Sequence, residues 1–146
     1  MPIPRANMPV PAAARAPFDD AMCELVEELK PEVVSFHFGL PDRSLLDRVK
    51  ATGCVVIGCA TLVKEAVWLE QNGADAIIAQ GAEAGGHRSM FMTGNIASQP
   101  GVMSLVPQVV DAVKVPVIAA GGIADGRGIA AAFALGAAGV QIGTAY

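Results

Sequence analysis

Five short apolar blocks recur along the chain: VVSFHF (33–38), CVVIGC (54–59), ADAIIA (74–79), VPVIAA (115–120) and AGVQIG (138–143). They are rich in β-branched and small apolar residues, which predicts strands. None alternates strictly between apolar and polar. Continuously apolar strands are those buried on both faces of a parallel sheet. Between the blocks lie stretches of about ten residues, the usual length of a globular helix. Asp19 predicts an N-cap for a helix running to Lys30 and stopped by Pro31. Asp42 caps a second helix ended by Gly53, and Thr61 a third closed by Gly73. Ser104 caps a fourth, LVPQVVDAV, where Pro107 falls in the tolerant first turn. Asp125 caps a fifth that ends at Gly136. From Gln80 to about Met103 no clear element is visible. Strand and helix in alternation predict an α/β chain, either a doubly wound sheet or a (β/α)8 barrel. Periodicity leaves both open.

Residues 1–17 hold five prolines and read as an extended Pro-rich arm, with the ordered domain at 18–146. Over 146 residues, 53% are hydrophobic and 16% charged, which fits a packed chain and excludes intrinsic disorder. The net charge is −4 with no basic stripe, so nucleic acid is not an expected partner. No apolar run reaches the ~20 residues a membrane-spanning helix needs. The opening stretch is broken by proline and lacks the apolar core of a signal peptide, so a cytoplasmic protein is the default expectation. Cys23, Cys54 and Cys59 form no CxxC pair, which argues against a zinc site. Cys54 and Cys59 lie an odd number of places apart in one strand, point to opposite faces and cannot easily pair. Buried reduced thiols are expected, and no metal site.

In both candidate architectures ligands sit at the C-terminal ends of the strands. Candidate chemistry therefore follows each apolar block. AAGGIADGRG (119–128) runs from a strand through Gly121 and Gly122 into a helix start, where backbone N–H groups favour an anion such as phosphate. QIGTAY (141–146) places Gly143 and Thr144 at the end of the next strand, and phosphate held between two late strands is a recurring barrel arrangement. Two tight turns without a ligand are the alternative. QGAEAGGHR (80–88) opens the long segment, and loops of that length in a compact domain are usually functional or disordered. His87 follows two glycines there. An imidazole titrates near neutrality and can serve as a general base, although a solvated loop histidine fits the same position. His37 falls inside a predicted strand and reads as a core or barrel-lining residue, and Trp68 as a packing residue. Asp125 is accounted for by capping. Glu83 either orients His87 or faces water.

VVSFHFGLP, CVVIGCATLVKEA, GADAIIAQGAEAGGHR, PVIAAGGIADG and GVQIGTAY resemble successive motifs of the nitronate monooxygenase family, formerly 2-nitropropane dioxygenases. The likeness covers roughly residues 18–146, and AQGAEAGGHR is its most specific part. It implies an FMN enzyme on a (β/α)8 TIM-type barrel that oxidises alkyl nitronates with O2. By the same resemblance, Gln80, with Gly81 beside it, would contact the flavin ring. Gly85 and Gly86 would approach the cofactor at the backbone. Gly121, Gly122, Gln141, Ile142, Gly143 and Thr144 would hold its phosphate and ribityl region. His87 would be the active-site histidine. It would contact a nitronate, or remove the α-proton of a neutral nitroalkane. The family usually has glycine two places after that histidine, where this chain has Ser89.

The five strands correspond by resemblance to strands four to eight, an incomplete barrel of about five of eight βα units. A full barrel typically needs ~250 residues. Open sheet edges invite self-association. Two other functions stay open: a related flavin reductase acting on an enoyl thioester (enoyl-acyl carrier protein reductase) or on a quinone with NAD(P)H, and an inactive barrel fragment.

Overall fold

The computed structural model describes residues 17–144. The Pro-rich arm falls outside the described residues except for Pro17. Helix α1 (Asp20–Leu29) leads into β1 (Val33–Phe36), α2 (Arg43–Ala51), β2 (Val55–Ala60), α3 (Val63–Gln71) and β3 (Ala76–Gln80). A short 3-10 turn (Ile96–Ser98) interrupts the following loop. Helix α4 (Val102–Ala112), β4 (Val117–Ala120), α5 (Gly126–Ala134) and β5 (Gly139–Gln141) complete the series.

All strand pairings are parallel, and the sheet order is β1-β2-β3-β4-β5. This order separates the two architectures that periodicity left open. A doubly wound sheet reverses its strand order at a switch point. Here every strand pairs with the next one in sequence, as in a (β/α)8 barrel. The five units form an open arc of that barrel, with β1 and β5 at its edges among the described residues.

Strand parity divides the core. Ile77, Val117 and Ala119 pack with Leu69 of α3 and Leu105, Val106 and Val109 of α4 in the main cluster. The alternate positions Cys59, Ile78 and Ala120 form a smaller cluster with Ile57 and Ile118, built of strand residues alone. In a closed barrel this second face is the interior. Helices α1 and α2 close over β1 and β2 through Cys23, Leu46, Val49, Phe36 and Val56. All three cysteines are buried and unpaired, as expected.

Several boundaries differ from the pattern. Asp19 and Asp125 cap α1 and α5 with their carboxylates, as their residue type dictates. Asp42 occupies the N-cap of α2 without a side-chain hydrogen bond. Thr61 lies one place before the N-cap, Leu62, and is buried against Glu65 instead. Helix α4 starts at Val102, before Ser104, because Glu83 from the preceding loop accepts from the Val102 N–H at 2.8 Å. Pro107 is consequently inside the helix rather than in its first turn. There it removes the N–H that would reach the Met103 carbonyl. Strand β1 stops at Phe36, and the chain turns sharply through Phe38 (φ 65°) and Gly39 (φ 95°).

Candidate active site

The C-terminal ends of β1, β3, β4 and β5 border one cavity of about 1420 Å³. Its walls are residues 36–42, Gln80, the 83–87 stretch, residues 120–124 and the end of β5. The end of β2 does not reach it: Ala60 and Thr61 are fully buried. Of the sequence-predicted residues, the cavity brings together Gln80, Gly85, Gly86, His87, Gly121, Gly122, Gln141, Gly143 and Thr144. Gly81 and Ile142 stand outside the lining. Ile142 packs on the main core, because neighbouring positions at the end of a strand face opposite ways.

The segment after β3, without a legible element in sequence, is held by three buried side chains. Gln80 donates from Nε2 to the His87 carbonyl and accepts at Oε1 from the Ser89 N–H, both at 2.9 Å. Its main-chain oxygen accepts from Gln99 Nε2 at 2.9 Å, and Gln99 Oε1 also accepts from Arg88. Glu65 of α3 is buried and takes four donors. Thr61 supplies its N–H and hydroxyl to Oε2 at 2.8 and 2.7 Å. The Phe91 and Met92 N–H groups reach Oε1 at 2.9 and 3.0 Å. Burial alone would raise this carboxyl's pKa, but the hydrogen bonds from Met92, Phe91 and Thr61 outweigh it and hold it below the usual carboxylate range. Phe91 also packs edge-on against Trp68, with ring centroids 5.3 Å apart.

Sequence reasoning missed Glu65 and Ser89. Glu65 is the third residue of α3, where a capping-box glutamate turns back towards the preceding chain. That position was a usable signal. Ser89 showed only as a departure from the family's glycine, and its partner His37 lies 52 positions away. Glu83, offered as a partner for His87 or a solvated carboxylate, is exposed and caps α4.

Both histidines line the cavity and are exposed. His87 lies beside Phe38, ring centroids 6.4 Å apart and nearly perpendicular. His37, read as core or barrel-lining, is not in the core: it is exposed and lines the cavity. It sits just past the end of β1, and its Nδ1 lies 2.7 Å from the hydroxyl of Ser89. The turn at Phe38 takes the chain out of the sheet just after His37, and a non-glycine residue at positive φ is a strained conformation typical of functional sites.

The glycines separate into two groups. A Cβ on Gly85 would come within 2.5 Å of Thr144 Oγ1, and one on Gly121 would meet the Ala84 nitrogen at 3.0 Å. Gly121 and Gly122 also have φ of 107° and 67°. The packing of the 81–87 loop over the ends of β4 and β5 demands these glycines. Gly86 and Gly143 are different: both border the cavity, and a Cβ there meets nothing within 4 Å. That open space beside backbone fits the approach of a planar or phosphorylated cofactor. The N-terminus of α5 is less free than its motif suggested. Asp125 already accepts from the Arg127 and Gly128 N–H groups at 3.0 and 3.2 Å. An anion here therefore depends on the Gly121–Gly122 turn and on residues 143–144.

The family model described as nitronate monooxygenase matches residues 6–146. The chain belongs to the nitronate monooxygenase family. A probable nitronate monooxygenase of Staphylococcus haemolyticus is 48% identical over 125 residues, covering 84% of this chain and 35% of the relative. The crystal structure of nitroalkane oxidase from Streptomyces ansochromogenes superposes with a TM-score of 0.81 at 43% identity, covering 86% of this chain and 37% of that one. FabK from Thermotoga maritima gives a TM-score of 0.74 at 41% identity, over 90% of this chain and 39% of that one. The chain thus spans about a third of the length of the curated relatives it matches. The family is one of oxidoreductases. No helix among the described residues is long and apolar enough to cross a membrane. No cluster of metal-ligating side chains occurs among them either.

Proposed function

We propose that this chain supplies the phosphate-side and histidine-bearing walls of an FMN-dependent nitronate monooxygenase. The observation that carries this is one cavity lined both by His87 and by the open backbone at Gly86 and Gly143. Gly121, Gly122, Gln141, Gly143 and Thr144 are the residues suited to hold the phosphate and ribityl chain. Gly85 and Gly86 border the space for the ring. Bound FMN would supply the redox chemistry between substrate and O2.

The chain's own part is binding and proton handling. His87, held by its main chain through Gln80, contacts the nitronate or takes the α-proton of a neutral nitroalkane. A positioned base of this kind typically contributes ~10²–10⁴-fold. Phe38 packs beside the His87 ring and offers an apolar wall to the alkyl part of the substrate.

The likeness to FabK favours a second reading, a flavin reductase acting on an enoyl thioester or, with NAD(P)H, on a quinone. One experiment separates them. The chain is supplied with FMN, and oxygen uptake with propionate 3-nitronate is compared with NADH oxidation in the presence of quinone or enoyl thioester. Oxygen uptake alone supports the nitronate reading. NADH oxidation alone replaces it with the second. Absence of both, with no yellow FMN complex after purification, assigns the chain as an inactive fragment.

A further inference from the structure

Ser89 stands where the family resemblance expects glycine, and it is fully buried although its neighbours Arg88 and Met90 are not. Its N–H is tied to Gln80 Oε1 at 2.9 Å, which fixes the residue in place. Its hydroxyl lies 2.7 Å from His37 Nδ1. The buried thiol of Cys59 is its other polar neighbour. Among the described residues, the imidazole nitrogen is the hydrogen-bond partner that geometry gives this hydroxyl.

The donor order follows from chemistry. A hydroxyl has one proton to give and two lone pairs, and a thiol is a weak donor and a weaker acceptor than an imidazole nitrogen. Burial pushes the Cys59 thiol up to about 11, against the opposing effect of Ser89, so it keeps its proton at neutral pH. A protonated thiol is a poor acceptor, so the buried Ser89 hydroxyl gives its proton to His37 Nδ1, 2.7 Å away. In a neutral imidazole one nitrogen accepts and the other carries the proton. With Nδ1 as the acceptor, Nε2 bears the N–H on a ring that lines the cavity.

We propose that Ser89 is a positioning residue: its hydroxyl locks His37 in the Nε2–H tautomer and so sets a hydrogen-bond donor on the cavity wall. The use of that donor towards an anionic nitro oxygen rests on the nitronate reading above. The lock itself does not.

The chain has only two histidines, so the test is direct. The full chain is labelled with 15N-histidine, and long-range 1H–15N spectra are recorded at a pH of about 8.5. That pH is above the ordinary imidazole pKa of ~6.5 and below that of Cys59. His87→Asn removes one set of signals and assigns the other. In the wild-type chain His37 is expected as a single Nε2–H tautomer, and in Ser89→Ala as a mixture of the two. A wild-type His37 that is mixed or carries its proton on Nδ1 overturns the proposal without any variant. A single Nε2–H tautomer that persists in Ser89→Ala also overturns it. A locked His37 in a chain that fails to oxidise propionate 3-nitronate with FMN leaves this proposal standing and removes the nitronate reading.

Discussion

Gln80 Nε2 donates to the main-chain oxygen of His87 at 2.9 Å, so a strand-end amide sets the position of the loop that bears the candidate base. Gln80 is itself buried, and its side-chain oxygen also satisfies the Ser89 N–H. Gln80→Ala leaves buried groups unpaired, and each unsatisfied group costs about 1–3 kcal/mol. The variant is expected to unfold at lower urea, with faster amide exchange at Ser89. Unchanged exchange there would show that the loop holds itself without Gln80.

Glu65 predicts the acid behaviour of the fold. Its folded pKa lies below the unfolded value of 4.5, so its contribution is fully present above that pH and is lost as pH falls through the folded pKa. Glu65→Gln turns one acceptor oxygen into a donor facing other donors. A loss of about 2–3 kcal/mol at neutral pH is expected, with a smaller further loss on acidification than in wild type. Urea unfolding at neutral and acidic pH measures both.

The two groups of glycines predict opposite phenotypes. Gly85→Ala places a methyl within 2.5 Å of Thr144 Oγ1 and should destabilise by about 1–3 kcal/mol. Gly143→Val projects into open cavity. It should change stability by under about 0.5 kcal/mol and weaken FMN binding at least about tenfold, the equivalent of roughly 1.4 kcal/mol. Thermal unfolding and flavin fluorescence titration separate the two effects.

His87→Asn keeps the ring-sized side chain near Phe38 but removes the base. Where the nitroalkane route operates, kcat should fall by about 10²–10⁴-fold with flavin binding retained. Turnover equal to wild type would take His87 out of the mechanism.

The sheet arc leaves apolar residues exposed near its β1 edge, with Val33 at 48% and Val55 at 43% exposure. Exposed edges and apolar faces template association. The chain is expected to associate as its concentration rises, and Val33→Lys with Val55→Lys to shift it towards monomer in sedimentation velocity. A wild-type chain that stays monomeric at high concentration counts against edge pairing.

Much of the fold was legible because its signals are local. Continuous apolar blocks, Asp19, Asp125 and the glycines Gly53, Gly73 and Gly136 act within a turn or two of their own position, and elements formed where they predict. The errors arose where a distant residue replaced a local one. Glu83 caps α4 across the loop and moves its start ahead of Ser104. Glu65 buries Thr61 and takes it out of its expected capping role.

By itself the sequence determined the alternation of strands and helices, the strand-end placement of the candidate chemistry and the family motifs, all of which depend on neighbouring residues. Tertiary structure alone decided the sequential strand order, which needs pairing partners, and the separation of glycines required by loop packing from those beside open space. It also decided the meeting of Ser89 with His37 across 52 positions. Such a contact depends on how β1, β2 and β3 stack side by side, and no local pattern encodes it.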